Sequence, residues 1–244
     1  MKKTAEERIG EFNRFGSILG LDRMRELLEH LKHPEQGLKF IHVAGTNGKG
    51  STCKYIYESL RFNNYKVGLY SSPYIELFNE RIAFDGEDIP DDDLERLTDI
   101  VIEKCDEIVA LGHDSPTEFE VVTAIALMYF KEQNADYVIL EVGLGGRGDS
   151  TNVIEKPLIS VITSIDYDHT DRLGTTLSEI ASEKAGIIKK GVPVVSNVTD
   201  DSAREVIESR ASEKGAEFID VSEVTAAELG IGQSDDAEYP ISMA

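Results

Sequence analysis

The chain has 244 residues, of which 41% are hydrophobic, and its net charge is −21 because 46 acidic residues outnumber 25 lysines and arginines. This length supports one sizeable hydrophobic core, and so acidic a surface argues against binding nucleic acid through a broad basic face. No apolar run approaches the roughly 18 to 20 residues that a membrane helix needs. The N-terminal stretch lacks the apolar region of a secretory signal, and the two cysteines form no motif. We therefore expect a cytoplasmic protein without nucleic-acid or membrane contacts.

Short apolar runs alternate with segments of helical periodicity along the chain. The runs are nearly continuous in Val, Ile and Leu, which is typical of strands covered on both faces. The predicted strands are 39–45, 65–71, 136–143, 158–165 and 192–197, and the predicted helices are 51–63, 91–110, 118–133, 176–189 and 201–214. Strands that alternate with helices imply an α/β fold with a doubly wound, mostly parallel sheet and helices on both faces.

Two polar stretches have ordinary interpretations. The acidic run "DGEDIPDDDLER" (85–96) lacks the spacing of an EF-hand, so we favour a turn and a helix start over a metal loop. The stretch 222–244 is small, polar and acidic, with at most a short helix at 224–229. We expect it to be a loose terminus or the point where a longer chain was cut, after a domain that covers 1–221.

Polar, glycine-rich or ionisable residues follow four of the predicted strands. The segments are "GTNGKGST", "SSPYIELFNERI", "LEVGLGGRGDSTN" and "DYDHTDRLG". In an open parallel sheet, ligands bind outside the carboxyl ends of the strands. Because the four segments would meet at that one edge, the sequence predicts a binding site there.

The first of these segments lies within "IHVAGTNGKGST" (41–52) and differs from the usual phosphate-binding loop. That loop is written G-x-x-x-x-G-K-[ST], whereas here Gly50 separates Lys49 from Ser51. The segment nevertheless opens a predicted helix, whose free N–H groups attract phosphate. Its glycines let the backbone approach a ligand closely, and Lys49 adds a positive charge. An ordinary strand-to-helix turn is the alternative interpretation.

Three ionisable residues are candidates for the same edge. Glu141 ends a buried apolar run, where its carboxylate can bind Mg²⁺ together with phosphate oxygens or cap a neighbouring helix. His169 lies in an acid-rich loop, either as a ligand or as a hydrogen-bond partner that fixes the loop. Lys184 lies on the following helix, and spacing alone does not distinguish it from Lys189 or Lys190.

Taken together, the segments resemble one family, the folylpolyglutamate synthases/dihydrofolate synthases, which form the folate branch of the Mur ligase superfamily. The segments that carry the resemblance are "FGSILGLDRMRELL", "HVAGTNGKGST", "YSSPYIELFNERI", "TEFEVVTA", "LEVGLGGRGDSTNV", "SIDYDHTDRLG" and "IASEKAGI", in order from about residue 12 to 197. The resemblance implies the P-loop-type central domain of a Mur ligase. It also implies an ATP-dependent ligase that phosphorylates a folate or dihydropteroate carboxylate, after which the amino group of L-glutamate attacks the acyl phosphate.

The resemblance also implies roles for individual residues. Those that would hold the ATP phosphates are Gly45, Thr46, Asn47, Gly48, Lys49, Gly50 and Ser51. Those that would hold two Mg²⁺ ions are Ser72, Glu141, His169 and Lys184, the last as a carbamate. Those with a catalytic role would be Lys49, His169 and Lys184. Those that would contact the pterin substrate are Leu19, Gly20, Thr117, Glu118, Phe119, Glu120, Arg147, Gly148, Asp149 and Ser150.

The chain departs from the family pattern at three points. Tyr74 stands where the family usually has histidine, and Ile18 stands where bifunctional members can carry an acid, which favours folate polyglutamylation over dihydropteroate use. The family also continues into a second, C-terminal domain that binds glutamate, for which this chain has no counterpart. We therefore expect a monomeric fragment that binds ATP and has little ligase activity alone, with folate or dihydropteroate and L-glutamate as the other small-molecule partners.

Two other functions are compatible with parts of this pattern. One is a peptidoglycan Mur-type ligase that adds an amino acid to a UDP-muramyl substrate, although "FNERI" (78–82) and the opening "LGLDR" (19–23) fit the folate branch better. The other is a non-catalytic nucleotide-binding module. The set of Lys49, Glu141, His169 and Lys184 favours descent from a working enzyme over that alternative.

Overall fold

Eight strands form one sheet in the computed structural model, which describes residues 3–15 and 19–224. In chain order the strands are β1 (Phe40–Ala44), β2 (Val67–Tyr70), β3 (Ile82–Phe84), β4 (Glu87–Asp88), β5 (Tyr137–Glu141), β6 (Ile159–Ile162), β7 (Val194–Ser196) and β8 (Phe218–Asp220). Their order across the sheet is β4-β3-β2-β5-β1-β6-β7-β8. In the sheet, β2, β5, β1, β6, β7 and β8 pair in parallel with their neighbours in this order. At one edge, β3 pairs antiparallel with both β2 and β4. The predicted, mostly parallel sheet is confirmed.

The helices connect these strands and cover the sheet. In chain order they are α1 (Ala5–Gly10), α2 (Asp22–His30), α3 (Lys49–Phe62), α4 (Asp91–Ala110), α5 (Glu118–Glu132), α6 (Thr170–Leu173), α7 (Leu177–Lys184) and α8 (Asp201–Lys214). Short 3-10 helices occur at Glu11–Phe15, Phe78–Arg81, Ser150–Val153 and Ala185–Ile187.

Alternate residues of β5 show that both faces of the sheet are covered. Val138 and Leu140 belong to the core that includes α4 and α5, whereas Ile139 packs with Cys53 and Tyr57 of α3. Successive side chains of a strand point to opposite faces, so α3 and the α4–α5 pair lie on opposite sides. The continuous Val, Ile and Leu content of the predicted strands has this burial as its cause.

The five predicted strands and five predicted helices are confirmed, with shifts at their ends. Helix α3 begins at Lys49, two residues before its predicted start, because Gly48 adopts a left-handed conformation at the N-cap (φ +79°). The helix predicted for 176–189 ends at Lys184 and continues as a 3-10 turn up to Ile187. The elements absent from the prediction are α1, α6, β3, β4 and β8, which are short, and α2, whose buried Met24, Leu27 and Leu28 form an apolar face that the prediction overlooked.

The acidic run has the predicted local structure. Three aspartates, Asp91–Asp93, form the first turn of α4, where negative charge is favoured by the helix dipole, and Gly86 turns the chain between β3 and β4. Ile18 and the helix proposed within 224–229, apart from its first residue, lie outside the described residues. None of the helices in the described ranges is long and apolar enough to cross a membrane.

Candidate active site at the carboxyl edge of the sheet

The loop between β1 and α3 is held by the segment that follows β6. The Thr46 N–H donates to the Ser164 carbonyl at 2.7 Å, and the Asn47 N–H donates to Ser164 Oγ at 3.0 Å. In return, Thr163 Oγ1 donates to the Asn47 carbonyl at 2.7 Å. A β-carbon on Gly45 would lie 1.9 Å from Thr163 Oγ1, and its φ of +153° also favours glycine. The loop conformation therefore depends on glycine at this position.

Two lysine ammonium groups converge on the Gly45 carbonyl oxygen. Lys49 Nζ donates to it at 3.1 Å and to the Thr46 carbonyl at 3.0 Å, and Lys184 Nζ donates to it at 2.8 Å. Lys184 is almost fully buried, and burial together with the charge of Lys49 lowers its pKa to about 8. The structure thus separates Lys184 from Lys190, which is exposed, and from Lys189, whose Nζ donates to the Asn152 carbonyl outside this cluster.

Glu141 lies at the end of β5 beside the first turn of α3. Its carboxylate oxygens are within 3.8 Å of the position that a β-carbon on Gly50 would take, and the Ser72 N–H contacts Oε2 at 3.4 Å. Burial raises the pKa of Glu141, while the charge of Lys49 and the Ser72 N–H oppose that shift. The Glu141 carboxylate thus lies beside the loop, in contact with the Ser72 N–H and in the field of the Lys49 charge.

A cavity of about 950 Å³ opens at this edge of the sheet. Residues from the first half of the chain and from the loops after β5 and β6 line it together. The predicted site residues among the lining are Leu19, Lys49, Ser72, Thr117, Glu118, Phe119, Gly148, Asp149, Ser150 and His169. Segments that are far apart in sequence therefore meet at one place, as the strand-end rule predicts.

The glycine-rich loop after β5 forms the floor of the cavity and packs on the end of α7. A β-carbon on Gly146 would lie 2.8 Å from the Glu183 carbonyl oxygen, and one on Gly186 would lie 2.4 Å from the Arg147 Cα. The Arg147 N–H donates to the same Glu183 carbonyl at 2.8 Å. These contacts explain why the loop and the segment around Lys184 both carry glycine: their backbones touch directly.

The Asp149 carboxylate accepts hydrogen bonds from residues at both ends of this loop. It is almost fully buried, and it accepts from the N–H groups of Leu144 at 2.8 Å and Thr151 at 2.9 Å, as well as from the Thr151 hydroxyl. Burial raises the pKa of Asp149, and these hydrogen bonds oppose the rise. The carboxylate therefore shapes the loop that presents Gly148 and Ser150 to the cavity.

Three residues predicted to contact the substrate point elsewhere in this structure. The Arg147 guanidinium donates to Ser182 and pairs with Glu183 at 3.3 Å, so it contacts α7. Glu120 is buried, where it accepts from Thr117 and pairs with Arg23 at 3.1 Å. The Gly20 N–H donates to the Gly148 carbonyl at 2.9 Å, which ties the N-terminal segment to the floor of the cavity.

His169 has the left-handed backbone conformation at the start of α6 (φ +47°) and lines the cavity with a half-exposed side chain. Its Nε2 lies 3.6 Å from an oxygen of Asp168. No group of three or more His, Cys, Asp or Glu side chains that could hold a metal occurs within 3–15 and 19–224. A magnesium site built on Glu141 and Ser72 would therefore take its other oxygen ligands from phosphate or water.

Sequence reasoning missed two features of this site. Thr163 and Ser164 hold the phosphate-type loop, and only their position at the carboxyl end of the predicted strand 158–165 could have indicated it. Arg81 is nearly buried in the cavity wall, with its guanidinium 2.9 Å from Glu118 and close to the rings of Phe78 and Phe119. It lies in "FNERI" (78–82), next to Glu80 and Ile82, and this segment gave no clear signal that the arginine is buried. Tyr74, the departure from the family pattern, also lines the cavity.

The α/β fold with its loops at the carboxyl edge of the sheet agrees with the family comparison, in which residues 43–238 match the Mur ligase middle domain. The chain belongs to the Mur ligase family through that domain.

Within the family, the chain is similar to enzymes of folate metabolism. It is 48% identical over 206 residues to the dihydrofolate synthase/folylpolyglutamate synthase of Bacillus subtilis, a match that covers 84% of this chain and 48% of that protein. The folylpolyglutamate synthase of Lacticaseibacillus casei is 41% identical over 198 residues, covering 81% of this chain and 46% of that protein. The chain thus spans about half the length of the curated relatives it matches.

Solved structures of related enzymes have the same fold. A complex described as FPGS–AMPPCP–folate superposes with a TM-score of 0.83 at 38% identity, covering 89% of this chain and 54% of that one. E. coli FolC in complex with DHPP and ADP superposes with a TM-score of 0.79 at 34% identity, covering 89% of this chain and 51% of that one.

The raised pKa of Glu141 predicts how the ligand-free chain depends on pH. A carboxyl that binds its proton more tightly when folded stabilises the fold at low pH and destabilises it as pH rises through the folded pKa. We expect Glu141→Gln to raise the melting temperature at neutral pH by about 2–4 °C, and this gain to vanish in acid. The matched control is Glu76→Gln, at an exposed position. A lower melting temperature for Glu141→Gln than for the wild type at neutral pH would contradict a raised pKa of Glu141.

Proposed function

We propose that this chain is the nucleotide-binding part of an ATP-dependent acid–amino-acid ligase that joins L-glutamate to a folate or dihydropteroate carboxylate. The observation that carries the proposal is the loop between β1 and α3. It is held by Thr163 and Ser164, it requires glycine at position 45, and it leads into α3 at the edge of a 950 Å³ cavity. A helix N-terminus behind a glycine-rich loop is suited to phosphate.

Among the described residues, three positive side chains line this cavity beside the carboxylates of Glu118, Asp149 and Asp171, although the protein as a whole is strongly acidic. Lys49, Arg81 and Arg172 all line it. Lys49 Nζ bonds to two carbonyl oxygens of its own loop, so a phosphate would offer it a stronger, charged acceptor in the same place. We propose that Lys49 moves to the phosphates when ATP binds, and that the first-turn N–H groups of α3 hold them, since those groups have no partner within the helix.

Glu141 and Ser72 are proposed to bind one Mg²⁺ ion together with phosphate oxygens. The Glu141 carboxylate is buried, and its contact with the Ser72 N–H is weak at 3.4 Å. A cation that replaces this contact would stabilise the negative charge of the carboxylate. His169 lies on the same cavity and is proposed to contribute to a second ion. When bound, the ions would neutralise charge that develops during phosphoryl transfer to the substrate carboxylate. The chain's own groups would hold both reactants in line.

The opposite wall of the cavity suits a flat heterocycle. Leu19 and Phe119 supply apolar surface, while Thr117 and Ser150 supply polar groups at its margin. Aromatic ligands bind where apolar surface is combined with a few fixed polar groups. The names of related structures, which include complexes with folate and DHPP, support a pteridine at this wall.

The chain matches only about half the length of its relatives, and this supports a proposal about its domains. We propose that residues 1–221 are an ATP-binding domain and that glutamate capture requires sequence like the remaining half of the relatives. The chain alone would then bind nucleotide weakly, as a monomer in the cytoplasm, and would ligate glutamate slowly or not at all. Turnover of ATP, folate and glutamate by the purified chain at ordinary enzyme rates would contradict this proposal.

Lys49→Met tests the nucleotide site because it removes the charge and keeps much of the side chain's bulk. We expect the affinity for magnesium and a non-hydrolysable ATP analogue, measured by calorimetry, to fall about tenfold or more. Lys54→Met is the matched control, since Lys54 lies on the same helix with a 58% exposed side chain. Equal affinities for the wild type and Lys49→Met would refute the phosphate assignment. Binding of a UDP-muramyl peptide in place of a folate would favour the cell-wall branch of the family.

Lys184 is proposed to be carbamylated. A pKa of about 8 leaves a usable fraction of neutral amine, whose nitrogen can attack the carbon of CO₂ and release one proton to water. The product is an anionic oxygen ligand beside the Gly45 loop. We expect a carbamate signal in carbon NMR with labelled bicarbonate, lost in Lys184→Gln and kept in Lys189→Gln. Lys189 is a demanding control because burial lowers its pKa to about 8 as well. A signal that is lost in Lys189→Gln and kept in Lys184→Gln would assign the carbamate to Lys189 and contradict the proposal.

A further inference from the structure

A fully buried histidine lies behind the cavity floor. His42, in the middle of β1, has no exposed surface, and its Nε2 is 2.9 Å from Thr151 Oγ1. The same hydroxyl donates to Asp149 Oδ1, and Asp149 lines the cavity. A continuous path of three side chains therefore joins the core of the sheet to the proposed substrate wall.

The hydrogen bonds in this path have only one consistent direction. Both oxygens of Asp149 accept from N–H groups, those of Thr151 and Leu144, so the carboxylate acts as an acceptor and also accepts a hydrogen bond from the Thr151 hydroxyl. The hydroxyl can then only accept from the imidazole. His42 must carry its proton on Nε2, and its Nδ1 has no hydrogen-bond partner among the described residues.

The surroundings keep the ring in this neutral form. Burial, assisted by the charge of Lys189, lowers the pKa of His42 to about 3. A neutral ring with its proton fixed on Nε2 is a permanent donor, unlike a surface histidine, which changes its charge near neutral pH. The orientation of the Thr151 hydroxyl does not change with pH in the ordinary range.

We propose that His42 is a positioning residue: through the Thr151 hydroxyl it fixes Asp149 as the acceptor that closes the loop 143–150, and thereby sets the affinity of the cavity for a pteridine. The choice of ligand rests on the function proposed above. His42 touches no ligand itself.

The first test needs no variant. Nitrogen NMR of the wild-type chain reports which ring nitrogen of His42 carries the proton. We expect a neutral ring protonated on Nε2 throughout the pH range in which the chain is folded. A proton on Nδ1, or a ring that titrates near neutral pH, would overturn the proposal because the hydroxyl of Thr151 would then be free to turn away from Asp149.

Matched pairs of variants test the consequence. Thr151→Val and His42→Leu remove the path, whereas Thr151→Ser keeps the hydroxyl and His42→Gln keeps a donor at the position of Nε2. We expect the first pair to weaken dihydropteroate binding about tenfold or more and to leave the affinity for an ATP analogue within about twofold. The second pair should stay within about threefold of wild type for both ligands. Equal losses for both ligands, or no rescue by the conservative pair, would overturn the proposal.

Hydrogen exchange separates this inference from the proposed function. The Leu144 and Thr151 N–H groups bond to Asp149, so their exchange should be faster in Thr151→Val and unchanged in Thr151→Ser. If the wild-type chain bound no dihydropteroate, the pteridine assignment would fail, while faster exchange confined to Thr151→Val would still support the positioning role. Unchanged exchange in Thr151→Val would overturn that role whatever the ligand.

Discussion

The site depends on the conformation of the turn between β1 and α3. Gly45 has no room for a side chain against Thr163, and its carbonyl oxygen accepts from both Lys49 and Lys184. One peptide group thus places the loop, the lysine that begins α3 and the buried lysine that ends α7. Changes in any of the three elements would alter the other two, because a close-packed contact of this kind cannot relax by small side-chain movements.

The same turn explains how an acidic protein can present a site for anions. Lys49, Lys184 and Arg81 lie near the carboxyl edge, and the burial of Lys184 and Arg81 strengthens their fields relative to charges in water. The carboxylates Glu141 and Asp149 lie among them, each held by N–H donors or by a nearby ammonium group. Net charge therefore says little about this edge, where the local arrangement of charge decides which ligands can bind.

Much of the fold followed from the sequence because burial on both faces leaves continuous Val, Ile and Leu runs. That signal was strong for β1 and β5 in the centre of the sheet. It was absent for the edge strands β4 and β8, which have exposed or partly exposed residues, and for β3, which has only three residues. Edge strands contain few buried side chains, so their identity depends on pairing with a neighbour, which the sequence does not reveal.

The site was predictable in its location but less so in its contacts. The glycine-rich segments after the strands indicated where the loops meet, and Lys49, Asp149 and His169 do meet there. The direction of Arg147, by contrast, is set by a groove between α7 and the loop, which no spacing rule describes. His42 gave no sequence signal either, because a lone polar residue in a strand looks the same whether it is a surface residue or a core donor.

Backbone amide NMR of the chain, titrated with magnesium and a non-hydrolysable ATP analogue, would test whether the turn between β1 and α3 binds the phosphates. We expect the largest chemical-shift changes at the N–H groups of Gly48 to Ser51, with smaller changes at Thr163, Ser164 and Ser72. Shifts confined to the opposite end of the sheet, around the N-terminal ends of β1 and β5, or no shifts at saturating nucleotide, would contradict this expectation.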